Sequence, residues 1–275
     1  MKEKSWACTL ITQLSLCVVA YVAINIEKFT PRSISNQGNR QNDVYFMSVA
    51  GGFRPVEEQT LLLQQMVKVQ KTYKVLFVVE FSELGESDPL LQNATLYPAL
   101  QNIPWYNSGA LTGEGKTYFS KKIEVPHGQT IDIIALDTVL LKDQSTALGN
   151  DQIAWLTKTL NESNSDWKIV VGLHQLISSD FNILKVKETR FEPVWNILLQ
   201  YGVDVYMSSK TCEDNTKDKA IYLTAMNHNV VSKEATGGGF LLHRVSSLEM
   251  LMFMVKLSGE VEHRFSFQQR GRAAI

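Results

Sequence analysis

Five histidines, His127, His174, His228, His243 and His263, are the side chains of this sequence best suited to proton transfer or metal ligation near neutral pH. None pairs with another at the i, i+4 spacing that sets two imidazoles on one helix face, and no Cys/His cluster builds a closed metal site. His127 falls in a Pro-His-Gly turn, and His243 and His263 alternate along predicted strands. His174 follows a buried strand, where α/β proteins sometimes carry a working residue and more often a structural one. Cys212 also follows a strand, but no base is identifiable for it, so a plain thiol is expected. Cys8 and Cys17 lie in an N-terminal apolar stretch, which leaves no disulfide within the globular part. No serine stands in a Gly-x-Ser-x-Gly elbow.

Ala110-Leu-Thr-Gly-Glu-Gly115-Lys116-Thr117 is a permissive match to the phosphate-cradling loop of nucleotide-binding proteins. Such a loop works only with a helix N-terminus behind it. Here the following residues, Tyr-Phe-Ser-Lys-Lys-Ile-Glu-Val-Pro, form a β-rich run closed by proline. Nucleotide hydrolysis is therefore not expected.

The surrounding elements read as a layered α/β domain. Val44 to Ala50 is a compact apolar run ended by Gly51-Gly52, the mark of a buried strand entering a turn. A helix is predicted from Val56 to Lys71, with Leu61, Leu62, Gln65, Met66 and Val69 mostly on one face, and a buried strand from Val75 to Phe81. Strands are predicted at Thr117 to Val125, Thr130 to Leu136, Trp167 to Gly172 and Val203 to Met207, and helices at Asp151 to Leu160 and Phe191 to Gln200. In the last third, Ala220 to Met226, Gly239 to Ser246, Met250 to Leu257 and Glu260 to Phe267 predict short strands of an antiparallel segment.

With 275 residues, 44% of them hydrophobic, the chain can bury one substantial core, so a single domain over residues 43–275 is expected. The 27 basic and 28 acidic residues cancel to a formal charge of -1, which leaves no excess to hold a polyanion; no nucleic-acid partner is expected. Trp6 to Ile24 carries no charge, and as a helix it would span about 28 Å, close to the hydrocarbon thickness of a bilayer. A single-pass membrane anchor over residues 1–26 is expected, followed by a polar linker over 27–42. The rival is a cleaved secretory signal, with Lys2 and Lys4 before the apolar run and Val18-Val19-Ala20 ahead of a cut, but the run is long for one. Glu3 and the lack of arginine before Arg32 favour a secretory or endomembrane location over the mitochondrial inner membrane. Lys28 and Arg32 balance Lys2 and Lys4, so orientation is left open. Asn93-Ala94-Thr95 and Asn161-Glu162-Ser163 would be glycosylation acceptors in a lumenal domain.

Three stretches carry a family resemblance. Asp151-Gln-Ile-Ala-Trp-Leu-Thr-Lys-Thr-Leu160 followed by Asp166-Trp-Lys-Ile-Val-Val-Gly-Leu-His-Gln175, then Pro104-Trp105-Tyr106-Asn107, and Gly237-Gly-Gly-Phe240 through Glu249 together resemble the purple acid phosphatases, which are calcineurin-like metallophosphoesterases. With Val203-Asp-Val-Tyr206, the likeness runs collinearly over roughly residues 43–270. It implies a four-layer α/β/β/α sandwich, preceded here by the N-terminal transmembrane helix. In that family two metals, held by aspartates, an asparagine, a tyrosine and histidines at strand ends, activate water against a phosphoester.

The resemblance also implies which positions have lost their ligands. The first Gly-Asp of the family falls on Ala50-Gly51, and its second motif on Ser82-Glu83-Leu84-Gly85-Glu86. The Gly-Asn-His-Asp loop becomes the stretch from Ser108 to Gly113, with Leu111 and Thr112 in place of donors. Gly-His-x-Pro puts Leu173 at the ligand position with His174 beside it, and Gly-His-Asp-His becomes Ser209-Lys210-Thr211-Cys212, with a positive charge where a cation should sit. Glu83, Glu86 and Cys212 do not make a matched donor set for two hard, oxygen-preferring metals. The expectation is a catalytically inactive relative without metal or other cofactor, acting as a membrane-anchored subunit among other protein subunits of an assembly. The alternatives are a divergent hydrolase that rebuilds its site from Glu83, Glu86, Cys212 and His174, and a binding module that holds a phosphorylated ligand through Lys210.

Overall fold

A computed structural model describes residues 43–108, 117–125, 128–142, 146–176, 191–209, 221–225, 231–235 and 238–269; for 221–225, 231–235 and 262–264 only the backbone is considered. The Ala110–Thr117 motif, His127, His228, Leu111, Thr112, Lys210, Cys212 and the apolar segment 6–24 lie wholly or almost wholly outside them. Among the described residues no helix is long and apolar enough to cross a membrane. One compact unit runs from Asn42 to Ile275.

Two six-stranded sheets build this unit. The first has the order β12-β11-β10-β1-β2-β3, formed by β1 (Val44–Ala50), β2 (Val78–Phe81), β3 (Trp105–Asn107), β10 (Phe240–Val245), β11 (Glu249–Val255) and β12 (Val261–Gln268). The second runs β4-β5-β6-β7-β8-β9, formed by β4 (Phe119–Glu124), β5 (Thr130–Leu136), β6 (Trp167–Gly172), β7 (Val205–Ser208), β8 (Ile221–Ala225) and β9 (Val231–Ala235). Each sheet has three parallel strands, β1-β2-β3 at one edge of the first and β5-β6-β7 in the middle of the second, extended by antiparallel strands.

Strands buried on both faces need apolar residues at every position, and β1, β2 and β10 are buried along their whole length. Val44, Phe46 and Ala50 of β1 face inward and meet Ile131, Ile133, Trp167, Ile169, Val205 and Met207 of the other sheet in one core. The Trp167 indole N–H donates across that core to the Ser246 carbonyl at 2.8 Å. Within it His243 is fully buried, stacked on Phe46 at 4.2 Å, with Nε2 2.7 Å from the Ser48 hydroxyl. Burial lowers its pKa to about 3, so the imidazole is neutral.

Helices cover the outer faces. α1 (Val56–Tyr73) buries Leu62, Leu63 and Met66, and its Tyr73 ring packs on Tyr45 of β1 at 5.1 Å. Leu61, expected on that buried face, is 44% exposed, whereas Gln65, expected there, is buried together with Gln59, their amides donating to the Leu257 and Pro89 carbonyls. α4 (Ala147–Glu162) and α5 (Glu192–Gln200) put Leu156, Leu160, Val194 and Leu198 against Ile134, Leu136 and Val170 on the other sheet's outer face. Two short helices, α2 (Pro89–Ala94) and α3 (Pro98–Gln101), join β2 to β3.

Several described elements differ from expectation: β4 starts at Phe119 and not Thr117, β7 at Val205 and not Val203, and α4 at Ala147 and not Asp151. β2 starts at Val78 and not at Val75. β3, β9 and the two short helices were not foreseen. The C-terminal strands do not make one antiparallel segment, because β8 joins β7 and β9 while β10 crosses to the other sheet and pairs with β1. Pairing over such distances is set by burial of the inward faces, which local periodicity does not encode.

Candidate functional site

In open α/β sheets, chemistry gathers beyond the carboxyl ends of the parallel strands. On the first sheet, β1 ends at Ala50 and the chain turns through Gly51-Gly52, whose Gly51 N–H donates to the Phe81 carbonyl at 2.8 Å. A Cβ on Gly51 would stand 2.5 Å from Asp88 Oδ2 and 2.8 Å from the Ser82 Cβ, so no side chain fits there without rearrangement. The Asp88 carboxylate fills that space. It is fully buried, accepts the Gly52 N–H at 2.6 Å, the Leu90 N–H at 2.8 Å and the Ser82 hydroxyl, and so caps α2 while tying it to the turn after β1.

Glu80, in β2, is fully buried beside it. Its Oε2 accepts the Asn107 amide from β3 at 2.6 Å. Burial pushes its carboxyl up to about 8, and the neighbouring Asp88 adds to this; the Asn107 amide and the Arg54 charge pull the other way. At neutral pH Glu80 is therefore mostly protonated. Arg54, in the turn leading to α1, donates from Nη2 to the Ala50 carbonyl. Burial lowers its pKa, while Asp88, Glu80 and Glu58 favour the charged form. Arginine stays protonated even so.

On the second sheet, β6 leads into Leu173-His174-Gln175, all buried. His174 Nδ1 lies 2.7 Å from the Thr138 hydroxyl, which also accepts the His174 N–H at 3.1 Å. The Tyr206 hydroxyl donates to the His174 carbonyl at 2.6 Å. His174 is thus a strut joining the ends of β5, β6 and β7. Leu173 is a buried apolar residue whose carbonyl accepts the Ser209 N–H at 3.2 Å.

Glu83 and Glu86 are exposed at the surface. Among the described residues no group of three or more His, Cys, Asp or Glu is placed to hold a metal ion, so Glu83, Glu86 and His174 are not brought together as a ligand set. The groups that do converge were missed: Arg54, Glu80, Asp88 and Asn107. Glu80 had a visible signal, a lone charge inside the apolar run Val-Leu-Phe-Val-Val-Glu-Phe. Asp88 had another, an Asp-Pro pair opening a helix. Arg54 had none, since its burial depends on a carboxylate 34 positions along being folded back onto the turn.

A dinuclear metal centre does not fit this donor set. Gly51 offers no side chain, Asp88 is saturated by three donors, Glu80 is mostly neutral, and an arginine supplies positive charge in the same place.

No protein-family model matches the chain, and no curated protein matches it in sequence. Among solved structures it is similar to GAP50, described as the anchor in the inner membrane complex of Plasmodium, with TM-score 0.60 and 15% identity over 84% of this chain and 90% of that one. A conserved uncharacterized protein of Streptococcus pneumoniae, a predicted phosphoesterase, overlaps 82% of this chain and 98% of its own at TM-score 0.37 and 9% identity. PhoD overlaps 84% of this chain and 71% of its own at TM-score 0.49 and 10% identity. The chain is thus a mixed α/β protein of two sheets with helices, and it shares its fold with GAP50.

Proposed function

We propose that this chain is a non-catalytic member of the metallophosphoesterase fold, related to the purple acid phosphatases, and that it serves as a membrane-anchored structural or interaction subunit of a larger assembly. The observation that supports the first half is the end of β1: where the resemblance puts a metal-binding aspartate, Gly51 stands against a buried Asp88 that any side chain there would have to displace. Leu173 supports it on the opposite sheet. Leu111, Thr112, Lys210 and Cys212 support it from sequence alone. The second half is supported by the uncharged run 6–24, by a linker over 27–42 ahead of a domain at 43–275, and by the fold shared with a protein described as an anchor of a membrane complex. The membrane in question is taken as secretory or endomembrane.

The test uses the full chain recovered from native membranes in detergent. Iron, zinc and manganese are measured together with phosphomonoester hydrolysis, and co-purifying subunits are identified with Met1 to Ile24 still attached. The expected result is metal well below one ion per chain, no turnover, and defined protein partners. Stoichiometric metal with turnover would refute the non-catalytic assignment; a chain recovered alone, without its N-terminus, would refute the anchor role.

A further inference from the structure

We propose that Arg54 is a built-in cation: its guanidinium supplies, from within the chain, the positive charge that the acidic strand ends of the first sheet would otherwise need from a bound metal. This rests on the non-catalytic reading of the cleft and adds to it a mechanism by which the site is kept folded.

Arg54 lies just past Gly51 in the turn leading out of β1. Its Nη2 donates back to the carbonyl of Ala50, the last residue of β1, which turns the guanidinium toward the strand end and away from solvent. Nη1 is buried there without a hydrogen-bond partner, so the group is held by charge as well as by hydrogen bonding. Asp88 grips the same turn through the Gly52 N–H at 2.6 Å, and Asp88, Glu80 and Glu58 favour the charged guanidinium. Glu80 and Asp88 are both fully buried, and two adjacent carboxyls in a low-dielectric site cannot both ionise without a counter-cation. With Glu80 mostly protonated, the Arg54 guanidinium faces the buried acidic pair as its counter-charge. Arginine suits this task because it does not shed its proton on burial, as lysine does. The same charge repels a divalent ion.

The full chain in detergent is compared with Arg54→Met, Arg54→Lys, Glu80→Gln and the Arg54→Met/Glu80→Gln double variant by thermal unfolding between about pH 6 and about pH 9, with and without millimolar MnCl2. Arg54→Met is expected to lower the midpoint by roughly 5 °C at neutral pH. The gap should widen as pH rises, because each increment of Glu80 ionisation then lacks its counter-charge. Mn2+ should raise the midpoint of Arg54→Met and leave the parent unmoved, and Arg54→Lys should fall between the two. A gap that is the same at every pH, or Mn2+ raising the parent as much as the variant, would overturn the proposal. Should Arg54→Met fail to fold, recovery of folding in the double variant supports it, and failure of both counts against it. Turnover with stoichiometric metal in the parent would sink the non-catalytic reading instead, whatever Arg54→Met does.

Discussion

Restoring an aspartate at Gly51 is the most direct chemical question at the scale of single residues. The new Cβ would meet Asp88 Oδ2 and the Ser82 Cβ inside contact distance, and its carboxyl would join two others already crowded at the ends of β1 and β2. Gly51→Asp is expected to lose about 3 kcal/mol of stability in urea unfolding, without gaining phosphatase activity. The position is intolerant because the buried Asp88 carboxylate occupies the space beside it. The lack of a carboxylate at Gly51 was legible in the sequence; the packing of Asp88 against it was not, since Asp88 reaches the turn through a helix cap and not through a motif. Glu83 and Glu86 illustrate the converse. They matched the motif by position and are exposed, whereas Glu80, a few residues earlier and on the strand itself, is buried in the cluster.

Elements were legible in proportion to how far their burial is written locally. β1 is a nearly continuous apolar run, β5 and β6 are apolar apart from Thr130, Asp132 and Lys168 near their starts, and the bounds of all three follow from the residues alone. β3 is three residues long and β9 reads Val-Ser-Lys-Glu-Ala, so neither carries a periodic signal, and α2 and α3 are short turns opened by proline. α2 nonetheless matters more than its length suggests, because its cap is also the bracket behind Gly51. Asp88→Ala removes the cap and leaves the Gly52 N–H and the Ser82 hydroxyl without their buried acceptor. A loss of about 3 kcal/mol is expected, above the roughly 1 kcal/mol of an ordinary exposed cap. Unfolding midpoints compared with Thr146→Ala, the cap of α4, separate the two contributions, since Thr146 caps its helix by accepting the Gly149 N–H at 3.2 Å without bracing a strand end as Asp88 does.

At the scale of the whole molecule, two buried titratable groups shape stability against pH. His243 has a folded pKa of about 3 against 6.5 unfolded, so the unfolded chain takes up a proton that the fold refuses; this stability is complete above pH 6.5 and drains away as pH falls toward 3. Glu80 works in the other direction. Its folded pKa of about 8 against 4.5 means the fold keeps a proton that the unfolded chain has lost, so stability falls as pH rises from 4.5 through 8. The slopes cancel between about pH 4.5 and about pH 6.5. A plateau there is expected, with losses of about 2 kcal/mol on either side, from the roughly 1.5 pH units over which each group acts uncancelled. Denaturant midpoints across pH check this: His243→Gln should flatten the acid limb and extend the alkaline decline down to about pH 4.5, and Glu80→Gln should flatten the alkaline limb and extend the acid decline up to about pH 6.5. A profile unchanged by both substitutions would contradict the assignment.

The position of β1 between β2 and β10 has a temporal consequence. Ser48 and His243, neighbours in the finished sheet, are separated by 195 positions along the chain. At ribosomal speeds of about 5–20 residues per second, one flank of the first strand waits roughly 10–40 s for its mate to be synthesised. Until then an apolar ribbon with free amides and carbonyls faces the surroundings, open to wrong pairings. Nascent copies of this protein therefore call for a chaperone or a protective surface during that interval, and truncations before Phe240 should collect in insoluble form.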